Sequence, residues 1–211
     1  MTILQWLLKV FSSKGMRLKE DSYPPDKTGP RGKPDLSYYR DSLAYYIQMY
    51  EQFLDSLEGR KTGVGYEVEL QFARRVHAQW GLIAKGAEAV PYGLSLLQRS
   101  EREAREDGAS LLAELGKNNG VVDALLESLR SERQLEARDS MIIALGSLKS
   151  RKAIPALAEI IRDAAEDHDT RWTAVESLGA IVRRRFIDKE DPIKAALDWI
   201  AKHPERTSQD S

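Results

Sequence analysis

The sequence predicts an all-α fold, an α-solenoid of about four helical hairpins preceded by an atypical helical N-terminal cap. From Tyr66 onward, apolar residues recur with helical spacing in segments of roughly 10 to 16 residues, and short polar loops separate these segments. No segment shows the period-2 alternation of a strand. A Leu-Gly or Trp-Gly pair recurs every 30 to 35 residues, which is the range expected for helical repeats.

Composition divides the chain into four parts. Residues 1–35 combine a short apolar helix with a linker, and the four Pro and two Gly of the linker forbid a regular helix or strand. Residues 36–65 form an aromatic-rich capping helix and a loop. Residues 66–203 form the repeat solenoid, and the polar residues 204–211 form a disordered tail.

The apolar segment at residues 3–11 surrounds a narrow polar strip. A helix this apolar is buried against protein or lies in a membrane interface, and we favour burial against the exposed end of the solenoid. A membrane span needs about 20 apolar residues, so this segment is too short to cross a bilayer. It also lacks the basic start and small-residue cleavage site of a signal peptide, so we expect none.

Charge and cysteine content restrict the environment and the partners. The 32 Lys and Arg nearly balance the 33 Asp and Glu, so the chain lacks the strongly basic character that by itself indicates nucleic-acid binding. Cysteine is absent, which excludes disulfides and thiolate chemistry and fits a reducing compartment. We therefore expect a cytoplasmic protein.

The capping part carries an aromatic surface. A long helix is predicted from about residue 36 to residue 58, with Asp35 or Ser37 as its N-cap. Beside its core face lies a second apolar strip, which comprises Tyr38, Tyr45 and Met49. Because apolar side chains on two faces of a helix need two covers, we expect this strip to contact another element or a partner.

The repeated pairs are Trp80-Gly81, Leu115-Gly116, Leu145-Gly146 and Leu178-Gly179. A large apolar residue followed by Gly lets one helix end or bend while its neighbour packs closely. A second helix follows each pair, and Pro91, Pro155 and Pro192 stand near the starts of three of them, where a backbone N–H has no helical partner. Each hairpin then buries its apolar stripe against the next, as in a solenoid.

Residues 138–146 with 153–157, and residues 169–179, resemble the HEAT-repeat family, in particular the short bacterial repeats first noted in phycobilisome lyases. The resemblance covers about two thirds of the chain and implies stacked hairpins whose second helices line a concave surface. The family includes scaffolds, regulators and a few enzymes, so the fold alone does not define the function. Asp123 stands where neighbouring repeats have Pro, and residues 1–65 do not match the repeat.

The sequence contains no catalytic or metal-binding signature. Its three His, at positions 77, 168 and 203, lie far apart, and none stands in a metal-ligating cluster. HEAT-like oxygenases bind iron through His-Glu pairs, and no His here is followed by Glu. We therefore expect no enzyme, no metal and no cofactor. His168 belongs instead to a predicted N-cap, Asp167-His168-Asp169, before a helix near Thr170.

The second helices carry the candidate binding residues. Their alignment places Glu127 level with Glu159 and Arg130 level with Arg162, and Arg99 lies within one residue of the arginine column. On the concave surface that the resemblance implies, such a column can bind an acidic protein partner or phosphates. The alternative is that these residues form i,i+3 pairs on solvated helices, where an Arg near the C-terminus is favourable anyway.

These patterns favour a non-enzymatic macromolecule-binding protein that contacts another protein as a scaffold, a regulator or an immunity-type inhibitor. The first alternative is a nucleic-acid-binding protein of the DNA-repair type, which needs a continuous basic groove. The second is a bilin-lyase-type chaperone, which needs a deep apolar cleft. Arg183, Arg184 and Arg185 are predicted to be a solvated helix end, and membrane contact through residues 3–11 is the less favoured arrangement of that segment.

Overall fold

The computed structural model describes residues 34–58, 65–116 and 119–207, and these ranges contain α-helices, short 3-10 turns and no strand. The helices are α1 (Leu43–Glu58), α2 (Gly65–Ala84), α3 (Val90–Leu96), α4 (Arg102–Leu115), α5 (Asn119–Ser131), α6 (Leu135–Ser147), α7 (Ile154–Arg162), α8 (His168–Val182), α9 (Pro192–Lys202) and α10 (Pro204–Thr207). The predicted all-α fold is confirmed. The apolar segment at residues 3–11 lies outside the described residues.

The chain forms two compact units, a first unit of Met1–Ala84 and a second unit of Lys85–Ser211. In the first unit α1 packs on α2. Tyr46, Tyr50 and Phe53 are fully buried, and their spacing of three and four residues places them on one face of α1. A Cβ at Gly81 of α2 would overlap the Tyr46 ring, so glycine is what allows the two helices to approach.

The long helix predicted from residue 36 is interrupted. A 3-10 turn at Leu36–Tyr38 comes first, and Asp35 caps it by accepting a backbone N–H at 2.9 Å. Tyr39 then leaves the helical conformation with ψ 75°, while its buried ring packs 5.1 Å from the His77 ring. The helix α1 starts only after Ser42, whose hydroxyl accepts a first-turn N–H at 3.2 Å. Burial of Tyr39 therefore overrides the local helical pattern.

The second unit is a helical-repeat solenoid. The helices α4, α6 and α8 lie side by side, with α4 against α6 and α6 against α8. Each preceding second helix packs on the first helix that follows it, so that α3 contacts α4, α5 contacts α6 and α7 contacts α8. Buried apolar side chains from Leu97 to Ile200 form one connected core. Each hairpin therefore completes its core with the next one, as the repeat pattern predicts.

A recurring arginine shows that the repeat period is 33 residues. Arg105, Arg138 and Arg171 occupy corresponding positions in α4, α6 and α8. Arg138 donates to the carbonyl of Leu129 at 3.1 Å, and Arg171 donates to the carbonyl of Ile161 at 2.9 Å. These carbonyls lie in the last turns of α5 and α7, where no helical N–H is available to them. The arginines therefore fasten each second helix to the next first helix.

The Leu-Gly pairs have different roles, although the sequence predicts one shared helix ending. Gly146 and Gly179 lie inside α6 and α8, and a Cβ at Gly146 would lie 2.7 Å from the Cβ of Ser177. Gly116 instead caps α4 in the positive-φ region, at φ 97°, where an added Cβ would meet no described atom within 4 Å. With a period of 33 residues, Ala113 rather than Gly116 corresponds to Gly146.

The predicted helix starts in the second unit are confirmed. Pro91, Pro155 and Pro192 stand in the first turns of α3, α7 and α9. Asp167 caps α8 by accepting the N–H groups of Asp169 and Thr170 at 2.9 and 3.1 Å. These proline and aspartate positions follow from local backbone chemistry, which is why the sequence alone identifies them.

The last described residues differ from the predicted disordered tail. Pro204–Thr207 forms the short helix α10, which packs on α7. Thr207 is buried, and its hydroxyl accepts a hydrogen bond from the Arg162 guanidinium at 3.2 Å. This contact holds the beginning of the polar segment against the repeat.

Candidate functional site

The structure separates the residues predicted to form one arginine column. Arg130 and Glu159 line a groove of about 900 Å³. Arg99 and Glu127 line a second cavity of about 490 Å³. Arg162 is exposed and donates its hydrogen bond to the end of the described chain. The column therefore does not form one continuous ladder, and only part of it reaches the larger groove.

The predicted aromatic strip belongs to the first unit. Tyr38 and Tyr45 are 39% and 43% exposed, and Met49 is half-buried. The edge of the Tyr45 ring packs against the buried Tyr46 ring at a centroid separation of 5.4 Å. The strip is therefore divided, because Tyr38 lies in the 3-10 turn and Tyr45 and Met49 lie on α1, and both tyrosines expose part of their surface.

The larger groove, called the basic groove below, lies between α5, α7 and the C-terminal ends of α6 and α8. Its charged lining comprises the basic residues Arg130, Lys149, Arg151, Lys152, Arg183 and Arg206 and the acidic residue Glu159. All of these basic residues except Arg130 lie outside the predicted arginine column, at the ends of first helices, in the turns that follow them, or in α10. A chain of nearly balanced charge thus concentrates positive charge on one face.

Three of the basic side chains already have an acidic neighbour. Arg130 forms an ion pair with Glu127 at 2.8 Å, and Lys152 forms one with Asp123 at 3.0 Å. Arg206 lies 3.5 Å from the glutamate that precedes it. All three pairs are exposed, so each is worth at most about 1 kcal/mol and can be exchanged for a partner's carboxylate.

The other three basic side chains are Lys149, Arg151 and Arg183, and all are exposed. Among the described residues, none of them has a carboxylate within ion-pair distance. Their charge is therefore available to a ligand. They come from two successive hairpins, because Lys149 and Arg151 lie between α6 and α7 and Arg183 follows α8.

Two of these side chains are held on an unusual backbone. Within the described residues, Lys149 and Arg183 are the non-glycine residues with positive φ, at 50° and 58°. Gly86 and Gly116 carry the other positive φ values, and the four residues recur at spacings of 30, 33 and 34. The left-handed conformation costs a side-chain-bearing residue about 1 kcal/mol, which is why glycine is usual at such helix ends.

The remaining lining of the basic groove is apolar and comprises Leu126, Ile154, Pro155, Ala156, Ile181 and Val182. Ile154 is buried, and the others are half-buried, so apolar surface remains open to a ligand. The described lining contains no aromatic side chain on which a nucleobase would stack. The groove therefore combines positive charge with aliphatic surface.

The second cavity is dominated by a structural ion pair. Arg105 donates to Glu132 at 2.6 Å and to the carbonyl of Arg99 at 3.0 Å. Glu132 also accepts the N–H groups of Arg133 and Gln134 at 2.8 and 2.9 Å. Burial acts to raise the pKa of Glu132, but these hydrogen bonds together outweigh it and place the pKa below its ordinary value. The arrangement stabilises the α5–α6 junction.

The described acidic and histidine side chains do not assemble a metal site. Among the side chains that the structure describes, no group of three or more His, Asp or Glu converges as a metal ion would require. His77 is half-buried between tyrosine rings, and this burial lowers the pKa of its imidazole. No helix in the described part of the chain has the length and apolar character of a membrane span.

Comparison with known proteins identifies the repeat. The family model described as HEAT repeats matches residues 122–209. The chain therefore carries HEAT repeats in this region. The match runs from α5 to the end of α10, so it includes every residue that lines the basic groove. No curated protein and no solved structure matches the chain. The predicted likeness to the lyase-type bacterial subgroup stays a prediction.

The basic groove also contains residues that the sequence did not single out as binding residues, among them Lys149, Arg151 and Lys152. These residues are hard to identify from the sequence because they lie in the turns between helices, and only the helices were aligned with one another. The 33-residue period of the arginines would have placed Lys149 level with Gly116. A basic residue at a position where the preceding repeat has glycine is the feature that could have revealed it.

Proposed function

We propose that this HEAT-repeat protein is a non-enzymatic binding protein and that it binds another protein in the basic groove. The proposal rests on an open aliphatic lining beside Lys149, Arg151 and Arg183, none of which has a described carboxylate within ion-pair distance. Protein interfaces bury apolar surface at their centre and keep charged residues at their rim. Extended repeat surfaces are also well suited to this kind of recognition.

The predicted binding residues take different places in this proposal. Arg130 and Glu159 contribute directly to the basic groove, whereas Arg99, Glu127 and Arg162 contribute to neighbouring parts of the second helices. The aromatic strip of Tyr38, Tyr45 and Met49 remains a second proposed contact surface, because exposed tyrosines often supply interface energy.

Protein binding fits these residues better than nucleic-acid binding does. Half of the basic residues in the groove have an acidic neighbour, and the aliphatic lining offers nothing to a phosphate backbone. A scaffold, a regulator and an immunity-type inhibitor are all compatible with such a groove. The absence of cysteine supports a cytoplasmic location within the same proposal.

The test is affinity capture from an extract of the source cells with the full chain as bait. Ala156→Trp places a bulky side chain in the basic groove, and Ala201→Trp makes the same change at an exposed alanine of α9 that does not line the groove. We expect Ala156→Trp to reduce recovery of the partner protein by about tenfold, the effect of about 1.4 kcal/mol of lost binding energy. Ala201→Trp should leave recovery unchanged, with circular dichroism confirming that both variants fold.

Two outcomes would count against the proposal. Equal recovery by wild type and Ala156→Trp would exclude the basic groove as the binding surface. Loss of the captured material after nuclease treatment, together with salt-sensitive binding to duplex DNA, would favour the nucleic-acid alternative. A further bait, Tyr38→Ala/Tyr45→Ala, tests the aromatic strip independently of the groove.

A further inference from the structure

The charge and shape of the basic groove restrict the chemistry of its partner. We infer that the groove binds an acidic segment of the partner protein in which carboxylate side chains are interspersed with aliphatic ones. This inference rests on the proposed function, because it specifies the part of the partner that the groove receives. The negative charge of the ligand then comes from carboxylate side chains, and neither a nucleic acid nor a lipid surface is the principal occupant of the groove.

Positive charge dominates the lining of the basic groove. The described lining contains six basic residues and one acidic residue, and Lys149, Arg151 and Arg183 come from two successive hairpins. A ligand in the groove therefore meets positive charge that both hairpins contribute. Arg side chains bind carboxylates with two parallel hydrogen bonds, so Arg151 and Arg183 are suited to Asp and Glu side chains.

Two of these basic residues have an unusual backbone conformation. Lys149 and Arg183 adopt positive φ at helix ends, where Gly116 stands in the preceding repeat. Gly at either position would adopt the same positive φ without this cost, and neither side chain forms an ion pair with the described residues that would offset it. Unfavourable backbone retained at a cavity points to a role in binding.

The basic groove also has an aliphatic lining. Ile154, Pro155, Ile181 and Val182 present apolar surface in the same groove. A phosphate backbone or a purely polyanionic chain leaves such surface uncovered, whereas Leu, Ile or Val side chains of a peptide bury it. An acidic segment that also carries aliphatic residues therefore complements both parts of the lining.

The experiment measures binding of a fluorescent synthetic peptide of alternating Glu and Leu to the full chain by anisotropy. Matched peptides replace either every Glu by Gln or every Leu by Ser. We expect binding of the Glu-Leu peptide that weakens as salt rises. Each replacement should weaken binding by about tenfold or more, because each removes one of the two complementary features.

The protein variants separate charge from folding. Lys149→Gly/Arg183→Gly removes two positive charges of the groove and also relieves the positive-φ conformation, so its Tm should stay unchanged or rise. We expect it to bind the Glu-Leu peptide about tenfold more weakly than wild type. The control Lys189→Ala/Lys202→Ala removes two exposed positive charges that do not line the groove and should keep its affinity within about twofold.

Several outcomes overturn the inference. They are equal binding of the Gln-Leu peptide, equal binding by the double glycine variant, and tighter binding of duplex DNA or of anionic vesicles than of the Glu-Leu peptide. The capture experiment distinguishes this failure from failure of the proposed function. If Ala156→Trp loses the captured protein while Lys149→Gly/Arg183→Gly keeps it, the groove binds protein but not by these charges. If Ala156→Trp keeps it, the proposed function itself fails.

Discussion

At the residue scale, two ionic contacts tie successive helices together. Arg105 reaches Glu132 at 2.6 Å, and Arg138 reaches Glu166 at 2.6 Å. Both pairs are largely removed from solvent, and each arginine also donates to a backbone carbonyl. They differ from the mostly exposed pair that Arg130, at the basic groove, forms with Glu127. The second unit therefore has buried ion pairs between its helices and an exposed pair beside the proposed binding surface.

Glu132→Gln should destabilise the protein by about 2 kcal/mol at neutral pH, because it leaves the buried Arg105 guanidinium without its counter-charge. The pKa of Glu132 lies below its ordinary value of 4.5, so the carboxylate contributes stability above that pH and loses it as the pH falls through the folded-state pKa. Urea unfolding across this range should show the gap between wild type and Glu132→Gln closing in acid.

The control for this prediction is Glu127→Gln, which breaks the exposed pair with Arg130 and should change stability by less than about 0.5 kcal/mol. Equal destabilisation by the two variants would mean that burial does not distinguish the two pairs. A gap that does not close at low pH would mean that the charge of Glu132 is not the source of its contribution.

At the scale of helices, local chemistry explains what the sequence predicts well. Proline in the first turn and aspartate at the N-cap act within one helical turn, and the starts of α7, α8 and α9 follow from them. The break before α1 was not predictable in this way. It depends on the burial of Tyr39 against His77, which comes from a different helix.

The repeat period also depends partly on local chemistry and partly on contacts between helices. The Leu-Gly pairs suggest uneven spacings because Leu115-Gly116 marks a helix end, whereas Leu145-Gly146 marks a contact between helices. The starts of α4, α6 and α8, together with the hydrogen bonds of Arg105 and Arg138, show that the period there is 33 residues. The same Leu-Gly dipeptide thus provides a glycine for a positive-φ helix end in one repeat and a glycine for close helix packing in the next.

Gly146→Ala tests the close packing of α6 on α8. The added Cβ would lie 2.7 Å from the Cβ of Ser177, so the helices must separate, at a cost of about 1 to 3 kcal/mol. Ser147→Ala, at the exposed neighbouring position of α6, should be neutral or slightly stabilising in the same urea titration. The double variant Gly146→Ala/Ser177→Gly should recover part of the loss, because it removes two of the three atoms that the new Cβ meets.

Independent behaviour of positions 146 and 177 would contradict this account. If the losses of Gly146→Ala and Ser177→Gly simply add, the destabilisation comes from helix propensity or from the unfolded chain and not from their contact.

At the scale of the whole molecule, the basic groove is a product of the repeat. Its basic residues range from Arg130 to Arg206 in the sequence, and they converge because α5, α7 and the ends of α6 and α8 are stacked. The sequence predicts the stacking and part of the charge, since Arg130 and Glu159 do line the groove. It does not predict the basic residues that the loops contribute. A positive φ at a helix end is usually recognised in a sequence by glycine, and positions 149 and 183 are Lys and Arg.

The last described hairpin should control the stability of its neighbours, because each hairpin of the second unit buries its core against the next. Trp199 of α9 is only 5% exposed and packs between Phe186 and His203, at ring separations of 6.3 and 4.4 Å. Trp199→Ala should therefore cost about 3 kcal/mol. Trp172→Ala, at a position 36% exposed on α8, should cost less than about 1 kcal/mol by comparison.

Hydrogen exchange of the Trp199→Ala variant tests whether this loss stays local. In a repeat with nearest-neighbour coupling, backbone amides of α8 and α9 should lose protection first, and those of α4 should keep most of theirs. A uniform loss of protection from α4 to α9 would show instead that the second unit unfolds as one cooperative domain. The distinction matters for binding, because local opening at α8 would release Arg183 and open the basic groove without unfolding the repeats that precede it.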